Sequence, residues 1–137
     1  MNTELLLAAV LVQIFLTLIL FIFLAKRKAK ALKSGDVDRK KAALHNDAWP
    51  DYVLQISNNI QNQFQTPVLF YALCFAFIVI DAVDTLALAG AWIYVLTRLV
   101  HSYVHTTSNY VPLRMRIFIV GVLSLLYLAI LLAVRLS

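Results

Sequence analysis

Charge is scarce in this sequence. Only 14% of its 137 residues are Asp, Glu, Lys or Arg, while 62% are hydrophobic. A soluble domain of this size is about half apolar, and it would have nowhere to hide such an excess. Cysteine is nearly absent too. Cys74 is the only one, so no intrachain disulfide can form, and its place inside an apolar run makes it a small packing residue. No carboxylate lies in the middle of any apolar run, which ranks a proton-coupled transporter last among membrane functions. Paired carboxylates, a Ser-His-Asp set and a phosphate-binding loop are also missing. The start lacks the basic segment of a cleaved signal peptide, since Glu4 precedes the first apolar core and KRKAKALK follows it. Internal repeats and low-complexity segments are absent.

The apolar residues fall in runs long enough for a bilayer, which takes about 20 residues per helix. Leu5–Ala25 is interrupted only by Gln13 and Thr17, and Ile117–Val134 closes the chain. Pro67–Ile80 is uncharged and extends backward through less apolar sequence, while Leu86–Val104 carries Arg98 and His101. The expectation is an all-α integral membrane protein: one domain over residues 1–137, with four transmembrane helices near 3–33, 51–80, 86–110 and 115–136. Pro67 sits inside the second of these, removes the hydrogen bond to the Gln63 carbonyl, and predicts a kink.

Eight of the twelve Lys and Arg residues lie between Lys26 and Lys41, whereas the 81–85 turn carries Asp81 and Asp84 and no cation. The positive-inside rule therefore puts the 26–50 loop in the cytoplasm, with the N-terminus and the 81–85 turn outside. The basic loop also attracts anionic lipid. It has no aromatic interleaving or motif for nucleic acid.

Two polar stripes interrupt the apolar pattern. On a helical wheel, Gln55, Asn58, Asn59, Asn62 and Thr66 fall within about 100° of one another, flanked by Gln63 and Gln65. Arg98, His101, Ser102, His105 and Asn109 occupy a comparable arc on the third helix, and the topology puts both stripes at one depth. Arg98 has no acidic residue at its own level. With Arg114 and Arg116 it forms a cationic face that the amides of helix two could complete as a cradle for a small anion. Arginines that merely reach headgroups and amides that merely join helices are the competing structural reading. His101 and His105, spaced i and i+4, could share a metal, but no Cys or Glu joins them and no metal is expected. Cationic neighbours raise the thiolate fraction of a thiol, so a bound thiol is the chemistry that such a face could activate.

The stretches NQFQTPVLFY and RLVHSYVHTTSNYVPLRMRIF, within four spans, resemble the MAPEG family, the membrane-associated proteins in eicosanoid and glutathione metabolism. The resemblance covers nearly the whole chain. It implies a homotrimer of four-helix subunits that binds glutathione, or a related anionic thiol, between subunits near the cytoplasmic face. Lipophilic substrates then enter from the bilayer. Position by position, Arg114 matches the arginine that favours the glutathione thiolate, and Arg98 and His101 match polar residues along the third helix. Gln63 falls where many family enzymes have a glutamate for the glutathione amino group. His105 and Phe118 fall where tyrosines are usual.

The reading that follows is a membrane-bound, glutathione-dependent transferase or peroxidase-like protein acting on lipophilic electrophiles. Arg114 is its catalytic residue, and Arg98, His101, His105, Asn59, Asn62, Gln63 and Asn109 bind the thiol. A bacterial-type member in the inner membrane is expected. The alternative is a non-enzymatic lipid- or anion-binding scaffold of the same fold, which the residues at Gln63 and Phe118 favour.

Overall fold

The computed structural model describes all residues, 1–137. It is helical with no strand: α1 spans Asn2–Ser34, α2 Arg39–Ala42, α3 Asp51–Gln63, α4 Thr66–Val79, α5 Thr85–Thr106 and α6 Val111–Leu136, with a 3-10 turn at Asn46–Ala48. Three stretches are long and apolar enough to cross a membrane: Asn2–Ser34, Asp51–Val79 and Val111–Leu136. At 22 residues, α5 is long enough to span but is not among them, because Arg98, His101 and His105 lower its mean hydropathy.

All three prolines mark helix starts. Pro50 caps α3, and Pro67 and Pro112 lie in the first turns of α4 and α6. Proline is tolerated there because those N–H groups have no helical partner. This corrects two expectations about the chain path. Residues 51–80 do not form one kinked helix. The chain leaves helical geometry at Gln65 (φ −104°, ψ −96°), and Pro67 starts a new helix. Likewise α5 ends at Thr106 instead of near 110, and α6 begins at Val111 instead of near 115, which brings Arg114 into the opening turn of a helix. At the end of α1, Gly35 takes a left-handed conformation (φ 77°), and its N–H closes on the Ala31 carbonyl.

Burial runs inside out relative to a soluble domain. Gln13, Asn59, Gln63, Arg98, His101, Ser102 and His105 are buried, while Leu11, Phe15, Ile22, Leu123, Leu126 and Ile130 are exposed. That distribution suits hydrocarbon outside and protein inside, where polar groups must find partners within the fold. The apolar core joins α1, α4, α5 and α6 through Leu6, Val10, Phe70, Phe77, Tyr94, Val95 and Leu128, with the Phe70 and Tyr94 rings stacked at 4.7 Å. Small residues bring α5 and α6 together: Ser124 donates to the Gly90 carbonyl at 2.7 Å. A Cβ on Gly90 would stand 2.8 Å from a Leu128 methyl.

Candidate functional site

At the end of the molecule that carries Lys26–Lys41, a polar cleft of about 770 Å³ separates α3 from the α5–α6 corner. Asp51, Tyr52, Leu54, Gln55, Asn58, Gln61 and Asn62 form the α3 wall; His105, Asn109 and Arg114 form the other. The walls are tied together at their rim. Gln55 donates from Nε2 to the Thr107 carbonyl at 3.3 Å. Arg27, from α1, donates to the Tyr52 carbonyl at 2.7 Å and to the Thr106 carbonyl at 3.3 Å. Thr106 is the last residue of α5, so the guanidinium sits on carbonyls left over at the negative end of the helix dipole.

Arg114 reaches into the cleft from the first turn of α6, and its Nη1 donates to the Asn109 side-chain oxygen. Asn109 holds a left-handed backbone (φ 50°), a conformation that asparagine tolerates better than most residues, and this directs the α5–α6 link back over the cleft. Behind that wall, Arg98 is only 2% exposed. Its Nη2 donates to the Asn62 carbonyl at 3.3 Å, and its Nε has no partner. The salt bridges of the fold join Met1 to Glu4, Lys41 to Asp47 and Arg135 to Asp84. Neither Arg98 nor Arg114 belongs to one.

His101 Nδ1 lies 3.3 Å from the Arg114 carbonyl. A donated hydrogen bond there leaves Nε2 as an acceptor, and that atom has no partner. The His101 ring meets His105 edge-on at 5.7 Å and Phe118 at 6.0 Å. His105 Nδ1 is also buried without a partner. Three of the four orphaned buried polar atoms therefore belong to Arg98, His101 and His105, on one face of α5. Such groups are costly to leave unmade, and together they offer donors and an acceptor to a guest or to ordered water.

The sequence stripes divide in space. Of the eight expected site residues, Asn62, His105, Asn109 and Arg114 line the cleft. Arg98 and His101 lie immediately behind it. Asn59 and Gln63 turn into the interior: Gln63 accepts from Gln13 Nε2 at 2.9 Å, and its own nitrogen faces Asn59 Oδ1 at 3.2 Å and Ser102 Oγ at 3.1 Å. Asn59 donates in turn to the Ser102 carbonyl. In the sequence Gln13 reads only as an interruption of an apolar run, and Arg27 only as part of the basic loop. A lone amide at mid-span was the available signal for Gln13. Arg27 carried none, because its carbonyl partners are backbone atoms far along the chain. Asp51 and Gln61 of the α3 wall lie outside the expected site set.

Compared with known proteins, the chain matches the model of the MAPEG family over residues 5–134. No curated protein and no solved structure matches it. The match takes in α5, both walls of the cleft and nearly all of the three long apolar stretches, and with it the chain belongs to the MAPEG family, whose members are membrane proteins of eicosanoid and glutathione metabolism.

Proposed function

We propose that this protein is a membrane glutathione-dependent transferase or peroxidase-like enzyme acting on lipophilic electrophiles, with the polar cleft as its thiol site. One observation carries the reading. Two arginines without carboxylate partners, Arg98 and Arg114, stand at a cleft whose facing wall carries the amides of Gln55, Asn58, Gln61 and Asn62. A cleft of about 770 Å³ falls in the range of small-molecule sites. Its cations and amides fit a peptide-like anion, and glutathione, when bound, supplies the thiol.

The chain's own part is to bind and orient. Arg114 holds negative charge at the sulfur, because a guanidinium favours the charged form of a neighbouring thiol. Asn62, Asn58 and Gln55 offer amide hydrogen bonds along the guest, and His105 and Asn109 close the opposite wall. Arg98 supports the α3 wall through the Asn62 carbonyl and adds positive potential from beneath. Gln63, sealed in the interior, leaves the ammonium end without the carboxylate usual in family enzymes. Asp51, on the α3 wall, supplies one instead.

In this reading α5 is the fourth span. Its packing against α1, α3, α4 and α6 supports that place, as does the apolar face it leaves outward at Ile93, Leu96 and Val100. Subunits associate as a homotrimer in a bacterial inner membrane, with the basic end cytoplasmic and the N-terminus outside, in keeping with the charge asymmetry.

The test is calorimetric titration of the purified protein with glutathione, alongside conjugation of a model electrophile. Wild type binds and turns over, and Arg114→Ala loses about tenfold or more in affinity, the scale of a charge-assisted contact. If wild type and Arg114→Ala are equally inert and neither binds glutathione, the reading is lost. The burial of Gln63 and the Phe118 ring beside His101 favour a second reading, a lipid- or anion-binding protein without turnover. Binding of a fatty acid or anion with no consumption of thiol decides for it.

A further inference from the structure

Beyond the cleft, the overhang of α1 builds a second concavity. At 33 residues the helix is about 50 Å long, against roughly 30 Å of hydrocarbon, so its basic turns stand in the headgroup layer and beyond. There Leu32 of α1, Arg39 and Ala42 of the short α2, Ala43 just after it, and Trp49 line a pocket of about 380 Å³. Lys28 lies over the Trp49 ring, 4.6 Å from its centroid, in cation–π contact.

The nearby carboxylates are already engaged. Asp38 accepts from the Lys40 and Lys41 N–H groups, Asp36 accepts from Ser34 and Tyr52, and Asp47 pairs with Lys41. Lys28 and Arg39 are in no salt bridge. No carboxylate of the chain therefore stands within ion-pairing distance of either cation.

We propose that this pocket binds the headgroup of an anionic phospholipid from the leaflet at the basic end. Arg39 and Lys28 take the phosphate, and Trp49 and Leu32 receive the glycerol and the first acyl carbons. Two features favour a lipid over a soluble anion. Along α1 the exposed apolar residues Phe21, Ile22 and Phe23 lie about three turns before Leu32, toward the bilayer, and Leu44, 86% exposed, follows Ala43 in sequence. A tryptophan at this level has the placement of an interfacial anchor. The site is independent of the cleft and of the thiol chemistry assigned to it.

Trp92 is the only other tryptophan, so Trp92→Phe leaves Trp49 as the sole reporter. The protein is reconstituted into vesicles of phosphatidylcholine with phosphatidylglycerol, brominating one lipid at a time. Trp49 quenching should show phosphatidylglycerol enriched about fivefold over its bulk share. The enrichment should fall with added salt and vanish in Arg39→Gln combined with Lys28→Gln. Native mass spectrometry of the unaltered protein supplies a second readout, retained phosphatidylglycerol over phosphatidylcholine, should Trp92→Phe disturb folding. Equal quenching by the two brominated lipids, a preference that survives in the double variant, or displacement by soluble glycerol phosphate overturns the proposal.

Discussion

Gln13 of α1 donates to Gln63 of α3 across 2.9 Å, with both side chains buried. The same Gln63 directs its nitrogen at Asn59 and Ser102, so one amide joins α1, α3 and α5 beside the break between α3 and α4. In hydrocarbon or protein interior this set of bonds is worth keeping because each unmade one carries a full desolvation penalty.

Gln63→Glu would install the residue common in family enzymes, yet a carboxylate still accepts from Gln13 while losing the donor that faces two oxygens of Asn59. A loss of about 2 kcal/mol of stability is expected, with no gain in glutathione affinity. Thermal unfolding in detergent, followed by the helical circular dichroism signal, measures it. An unchanged midpoint would show that Gln63 does not hold the three helices together.

Arg98→Met tests whether the buried cation is there for function. A buried charge with a single carbonyl partner costs desolvation energy that a thioether of similar length avoids. The ligand-free variant should unfold at the same temperature as wild type or higher, while its glutathione affinity falls by about tenfold. Sharp destabilisation of the ligand-free protein would make Arg98 a structural residue and count against the assignment.

Gly90→Val tests the α5–α6 contact. The first carbon of any side chain there meets a Leu128 methyl at 2.8 Å and the Tyr127 ring at 2.9 Å, so those side chains must give way, and the two further methyls of valine are expected to push α6 outward and stretch the Ser124 bond to the Gly90 carbonyl. Overpacking of this kind costs about 1–3 kcal/mol. Because Arg114 rides on α6, glutathione binding should weaken together with the unfolding midpoint. A full-strength site in a destabilised variant would show that the cleft wall is set locally.

Asp84 predicts an acid-side loss of stability at the opposite end. Its carboxyl lies below the usual carboxylate range, first because it accepts from the Ala87 N–H as the cap of α5, and then because Arg135 pairs with it. A carboxyl whose pKa is depressed by folding stabilises the folded state above its unfolded value, near 3.9. That contribution disappears as the pH falls through the folded value. Asp84→Asn keeps a capping oxygen but loses the charge. It should unfold earlier than wild type at neutral pH, and the gap should close in strong acid. A gap that persists there, in midpoints recorded across the range, would mean that charge is not the cause.

The helical class and the membrane setting were legible from local pattern, since hydropathy along Leu5–Ala25 or Ile117–Val134 depends only on the order of residues. The cationic and amide stripes were legible as well, because a helix of fixed period sets which side chains share a face. The break at Gln65 was half legible. Proline forbids one hydrogen bond whether a helix bends or restarts, and the choice fell to the packing of α3 against α1 and α5.

What a wheel cannot give is the neighbour that occupies each direction. Asn58 and Asn59 are adjacent in one stripe, yet the first faces the cleft and the second is buried against Ser102. Arg98 and His105 share a face of α5, but α3 covers one while the other opens to the cleft. Sequence fixes angle around an axis. Only the approach of α1, α3 and α6 to that axis decides whether a polar group meets water, a guest or another amide, because burial is a property of the neighbours and not of the residue.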